Sequence, residues 1–214
     1  GWTSAGQYEE EVSAADQRYG PIFAEYFSQE IPELLDDERA LEMGERIFAN
    51  NCATCHGSDA RGGIGFPDLT DADWIHGSTP ETIKRSITRG RAGVMPPFVS
   101  AVGGEEGVLD VTEYVLSLSG RDHDAARAAA GAASFAAVCS ACHLPSGEGF
   151  QAMGAPNLTD GIWLHGGRRD DIQRVIRDGV QNVMPAHARF LRPEQIHLAA
   201  LYVYSLSAGQ SDGE

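Results

Sequence analysis

Cys52-Ala53-Thr54-Cys55-His56 is a C-x-x-C-H run, and Cys139-Ser140-Ala141-Cys142-His143 repeats it. Two cysteines at this spacing can each form a thioether to a haem vinyl group, and the adjacent histidine is then held against the iron as its proximal ligand. The two copies use all four cysteines of the chain. A tetrahedral zinc shared by two cysteine pairs does not require a histidine directly after each second cysteine. A thioredoxin-type redox pair expects a βαβ context, which the sequence lacks. Four cysteines in 214 residues are also too sparse for a disulfide framework. The reading is two covalently attached haem c groups, with His56 and His143 as iron ligands.

An electron-transfer haem needs a second axial ligand, and a thioether sulfur raises the potential by favouring ferrous iron. Of four methionines, Met95 and Met184 share a position in the repeat, lie 39 and 41 residues after their histidines, and precede proline. They are the expected ligands, each assigned to the iron of its own repeat. Met43, in a helical apolar pattern, and Met153, without a repeat partner, read as ordinary packing. His76 and His165 also match between repeats and would give a lower-potential bis-histidine site; following Trp-x pairs, they read as packing or propionate neighbours. His123, His187 and His197 have no counterparts and are expected at the surface. Trp74 and Trp163 can fill core and donate an indole N–H to a propionate. Arg91 can pair with a propionate, but its counterpart is Val180, so the two haems would have different electrostatic surroundings.

The elements that position these groups follow the same duplication. Gly44 and Gly131 each lie eight residues before the first cysteine of a run, and Phe48 matches Phe135. Pro67-Asp68-Leu69-Thr70-Asp71 matches Pro156-Asn157-Leu158-Thr159-Asp160, and Trp74-Ile75-His76-Gly77 matches Trp163-Leu164-His165-Gly166. Tyr114 to Ser119 (YVLSLS) matches Tyr202 to Ser207 (YVYSLS). Apolar periodicity predicts helices leading into each haem run, from Pro80 to Gly90, and from about Glu106 to Leu118, with Gly44 allowing a close helix crossing. The fold class is all-α: an N-terminal arm (residues 1–40) of one or two short helices, with Pro21 at a first helical position, then domains over 41–120 and 121–214.

The net charge of −15 argues against nucleic acid and against a polybasic membrane patch. Residues 1–44 hold 11 acidic and 2 basic side chains, so the acidity is concentrated in the arm; it reads either as a solvated surface or as a field that steers a basic redox partner. No stretch approaches 18 uninterrupted apolar residues. Thioether attachment of haem places the protein on the periplasmic side of a bacterial inner membrane.

The opening Gly1-Trp2-Thr3-Ser4-Ala5 with Gln7-Tyr8, the segment Tyr19 to Phe27, both haem runs, Gly90-Arg91-Ala92-Gly93-Val94-Met95-Pro96 and the two repeat ends resemble the dihaem subunit, CcoP or FixP, of cbb3-type haem-copper oxidases. The resemblance covers nearly the whole chain. It implies two class I cytochrome c domains, a membrane helix ahead of this region, donor cytochromes c as partners, and electron delivery through the monohaem subunit to the catalytic subunit. Asp68 stands where the family usually has asparagine, and His76 and His165 where it usually has tyrosine. A free-standing dihaem shuttle is the alternative reading. A dihaem peroxidase or thiosulfate dehydrogenase would require an open, bis-histidine or cysteine-ligated haem, and no cysteine remains.

Overall fold

The computed structural model describes residues 2–208. Helix α1 spans Ser4–Phe27, with the Thr3 hydroxyl accepting from the Gly6 N–H as its N-cap. A 3-10 turn at Ile31–Leu34 leads to α2 (Glu38–Asn51), capped by Asp37, and to the short α3 (Ala53–His56) that carries the first haem run. Helix α4 (Pro80–Arg89) has Pro at its first position and the Thr79 hydroxyl accepting from the Thr82 N–H; Gly90, at φ 70°, ends it. Strand β1 (Arg91–Met95), α5 (Glu105–Leu118) and α6 (Ala125–Ser134) follow, then a π turn at Phe135–Cys139 and α7 (Ser140–His143). The chain continues through α8 (Arg169–Asp178), β2 (Val180–Met184), a 3-10 turn at His187–Arg189 and α9 (Pro193–Ala208).

Pro21 does not begin a helix. It lies inside α1, which continues through it because Ile22, Phe23 and Tyr26 dock on the core that α9 helps to build. Residues 125–143 form a helical run long and apolar enough, at mean hydropathy 1.3, to cross a membrane by length and composition. Alanine supplies that hydropathy, the buried Ala128 and Phe135 face the protein interior, and the run ends in the second haem motif.

The packing units are not the sequence repeats. The helix that closes each haem unit comes from the other repeat. α9 packs on α2 and α4 of the first repeat, whereas α5 packs on α6 and α8 of the second. The same aromatic contact marks both exchanges. Tyr202 of α9 meets Phe48 of α2 with ring centroids 5.3 Å apart, and Tyr114 of α5 meets Phe135 at 5.0 Å. The division at 120/121 therefore separates sequence copies, while each core is built from both. The reason is local. Only residues 119–124 join α5 to α6, so the two fold back as antiparallel neighbours. Arg127 of α6 pairs with Asp110 of α5 at 2.9 Å, and α8 adds Arg169 to the buried Glu113 at 2.5 Å and Arg177 to Glu105 at 2.7 Å. With α5 committed to the second unit, its homologue α9 fills the matching place in the first.

Gly44 and Gly131 make these crossings possible. A Cβ at Gly44 would strike the Leu198 carbonyl of α9, and one at Gly131 the Asp110 carbonyl of α5. Between the units, β1 and β2 form an antiparallel ribbon pairing Arg91 with Met184, Gly93 with Asn182 and Met95 with Val180. A Cβ at Gly90 would meet the Met184 carbonyl and one at Gly179 the Met95 carbonyl, so both helix-ending glycines also admit the opposite methionine's backbone.

His187 and His197 were expected at the surface but are buried, at 6% and 3% exposure. His187 sits against Phe190, and its Nδ1 donates to the Pro185 carbonyl at 2.9 Å. His197, on α9, packs edge-on against Phe27 and lies 3.0 Å from Lys84 Nζ. Burial first, then the Lys84 charge, pushes its pKa down to about 4.

Gly44→Ala is expected to lower the thermal midpoint of the haem-loaded chain: overpacking of about 1–3 kcal/mol outweighs the helix-propensity gain of about 1 kcal/mol. Gly20→Ala, in open space on α1, should be neutral or stabilising by calorimetry. Because unfolded His197 takes up a proton that the folded chain refuses, its contribution is complete above the ordinary histidine range and is lost as pH falls from 6.5 toward about 4. Denaturant titrations of His197→Gln should show a shallower loss of stability across that window.

Candidate haem sites

In each haem run the histidine ends a single helical turn, buried beneath its cysteines. His56 Nδ1 lies 3.2 Å from the Pro67 carbonyl and His143 Nδ1 lies 3.0 Å from the Pro156 carbonyl. A carbonyl only accepts, so both rings carry their proton on Nδ1 and leave the Nε2 lone pair free for a metal. Burial lowers both pKa values and keeps the rings neutral, as ligation requires. Burial, reinforced by the neighbouring cysteine, pushes Cys52 and Cys139 up to about 11.

The loops that supply those carbonyls are built alike. Asp68 Oδ1 accepts from Thr70 N–H and Oγ1–H, both at 2.7 Å, and Asn157 Oδ1 accepts from Thr159 N–H and Oγ1–H at 2.9 and 2.8 Å. The aspartate thus makes the turn that its asparagine counterpart makes. Trp74 packs on the first core and Trp163 on the second. Met43 packs on the first core as expected, but Met153 is exposed.

The methionines change sides. Met184 packs on the core that holds Phe48 and Cys52, and Met95 packs on the core that holds Phe135, Cys139 and Trp163. His187, three residues beyond Met184, lies close enough to His56 to bear on its charge. The structure therefore brings Met184 to the His56 unit and Met95 to the His143 unit, the reverse of assignment by repeat. The strands carry the crossing, and the two haem runs stay in place.

His76 and His165 act as packing residues. The His76 ring lies against Gly154 of the second repeat, where Gln151 Nε2 donates to the Trp74 carbonyl at 2.9 Å. His165 Nε2 pairs with Asn182 Nδ2 at 2.9 Å on the ribbon.

The residues fit a haem in each unit by an observation separate from the motifs. Three side-chain atoms are buried without a partner among the described residues: His197 Nε2 on α9, Arg91 Nη2 in the first unit and Trp163 Nε1 in the second; the last two belong to residues already singled out for the propionates. Haem propionates are the acceptors such donors lack. Two helical units, each with a haem run and such a donor, define a c-type cytochrome carrying two haems. A family model described as cytochrome c oxidase, cbb3-type, subunit III, matches residues 39–115 and again 126–203. The chain belongs to this family: it is a cytochrome c subunit of a cbb3-type oxidase, with two tandem cytochrome c domains and two covalently bound haem c groups.

The chain is 54% identical over 206 residues to the cbb3-type cytochrome c oxidase subunit CcoP of Rubrivivax gelatinosus, covering 96% of this chain and 67% of that protein. It is 41% identical to CcoP of Cereibacter sphaeroides, covering 84% of this chain and 64% of the relative. To FixP of Azorhizobium caulinodans it is 38% identical, covering 98% and 76%. It thus spans about two thirds to three quarters of the length of these relatives.

Carboxylates of both repeats meet beside these sites. Asp68, Asp71 and Asp73 line a groove with Pro156, Ile162 and Trp163, and Asp160 bears on Asp71 and Asp73. Burial, then Asp160 and Asp71, pushes Asp73 up to about 6. The folded chain holds this proton more tightly than the unfolded one, so the contribution is present below 3.8 and is lost as pH rises through about 6. Carboxyl-carbon magnetic resonance should find Asp73 titrating well above the other exposed aspartates, and Asp160→Asn should bring it down.

Proposed function

We propose that this chain takes single electrons from donor cytochromes c on the periplasmic side and passes them, through the oxidase's monohaem subunit, toward the oxygen-reducing subunit. When bound, the two haems supply reversible one-electron chemistry at iron. In this reading the chain's own residues do the rest. Cys52 with Cys55, and Cys139 with Cys142, tether the porphyrins. His56 and His143 ligate through Nε2, their rings oriented by the Pro67 and Pro156 carbonyls. Met184 closes the site of His56 and Met95 the site of His143. Arg91, Trp74 and Trp163 would donate to the propionates.

The observation that carries the crossed assignment is the core each methionine joins, Met184 with Cys52 and Met95 with Cys139. The ribbon also supports communication between the sites. Met184 stands opposite Arg91, four residues along β1 from Met95, which places the two methionine backbones roughly 14 Å apart. Acidic side chains spread over α1 and α2 favour a basic donor.

Met95→Ala and Met184→Ala test the assignment through the near-infrared methionine-to-iron charge-transfer band. Each should remove about half of it, and proton resonances of the surviving ligand should show which unit keeps its methionine. Contacts of the Met184 methyl group with Phe48 and Tyr202 protons in Met95→Ala support crossing. Contacts with Phe135 and Tyr114 would restore assignment by repeat, and a band unchanged in both variants would remove the methionines as ligands.

A further inference from the structure

The ribbon has a local two-fold relation centred on Gly93 and Asn182, which maps the pair Arg91–Met184 onto the pair Val180–Met95. Each methionine therefore has a cross-strand partner at the same station, a guanidinium in one unit and an isopropyl group in the other. The arginine is also anchored. Its Nε donates to Ser86 Oγ at 2.8 Å, and the residue equivalent to Ser86 in the second repeat is Val175. Both the cation and its anchor are thus missing from the second unit.

Among the described residues three buried side-chain polar atoms lack a partner; His197 Nε2 lies on α9, and the other two sharpen this asymmetry. In the first unit the donor is Arg91 Nη2, which is charged; in the second it is the Trp163 indole N–H, which is neutral. A further cation stands beside the donor in each unit, so the difference between the units lies in Arg91 itself. Arg85, beside Arg91, spends Nη2 on the Thr82 hydroxyl at 3.0 Å. Arg121, whose guanidinium lies 5.7 Å from the Trp163 ring centroid, donates to the Gly167 carbonyl. We propose that Arg91 makes the iron site closed by Met184 the more readily reduced of the two, because it answers a haem carboxylate with a charged donor where Trp163 offers a neutral one. The inference rests on the reading of Met95 and Met184 as ligands and on the unit each joins.

The sign follows from electrostatics. Oxidised haem carries one more positive charge than reduced haem, so a cation fixed nearby, or a carboxylate neutralised nearby, favours the reduced form. A charge-assisted hydrogen bond is roughly twice as strong as a neutral one, and the burial of Nη2 limits screening by solvent.

The test is a reductive titration of the full chain with both haems attached, followed by haem absorbance. Met184→His and Met95→His each replace one sulfur ligand and so assign the two steps. Arg91→Gln is expected to weaken reduction of the Met184-linked step about tenfold, equivalent to about 59 mV for a one-electron couple, and to leave the Met95-linked step in place. Arg91→Lys, which keeps the charge, should restore most of that difference. Val180→Arg should raise the Met95-linked step and narrow the gap. An Arg91→Gln chain with both midpoints unchanged, or with only the Met95-linked one moved, overturns the proposal. If Arg91→Gln does not fold, Val180→Arg decides alone, and an unmoved Met95-linked step counts against it. Failure of the ligand reading looks different: one of the histidine variants would then leave both steps untouched.

Discussion

The structure depends on one constraint, the commitment of α5 to the helix that follows it. Only residues 119–124 join α5 to α6, and α5 lies back on α6, tied to it by Arg127 and to α8 by Arg169 and Arg177. The first unit is left with a groove along α2, bottomed by Gly44 and walled by Phe48, which α9 fills with Leu198, Leu201 and Tyr202. The ribbon is a second result of the same exchange, since each chain segment must cross from one unit to the other between α4 and α5 and between α8 and α9. Gly90 and Gly179 let the two crossings run side by side.

Much of this was legible in the residues. The haem runs, the duplicated order of elements and the helix from Pro80 to Gly90 all stand in the structure as local signals indicate. What the sequence concealed was which copy pairs with which. Tyr-Val-x-Ser-Leu-Ser occurs in both α5 and α9, so each helix carries the surface needed for either groove, and no local pattern distinguishes the two partnerships. The burial of His187 and His197 was hidden for the same reason, because both lie on segments that the exchange draws into the first core. Pro21 was misleading in another way. The signal for a helix start was overridden by the packing of Ile22, Phe23 and Tyr26.

The sites illustrate how a duplicated framework accommodates unequal chemistry. Asp68 and Asn157 differ in charge yet make the same turn to a threonine, so the carbonyl that orients each proximal histidine is kept. Arg91 and Val180 differ in charge at the same station of the ribbon, where the backbone pairing is indifferent to the side chain. Geometry is shared between the halves, while electrostatics is free to diverge.

The partnership of α2 with α9 also dictates an order of assembly. The second unit is made of near neighbours in the chain and can close as soon as its own residues are present, since local contacts form before distant ones. The first cannot: its core waits for α9, which follows every other element of the second repeat in the chain. Until then Cys52 and Cys55 stay accessible on an open groove. Closure of the first core is thereby tied to the arrival of α9, and a chain interrupted before α9 leaves that core open although its other elements are already in place.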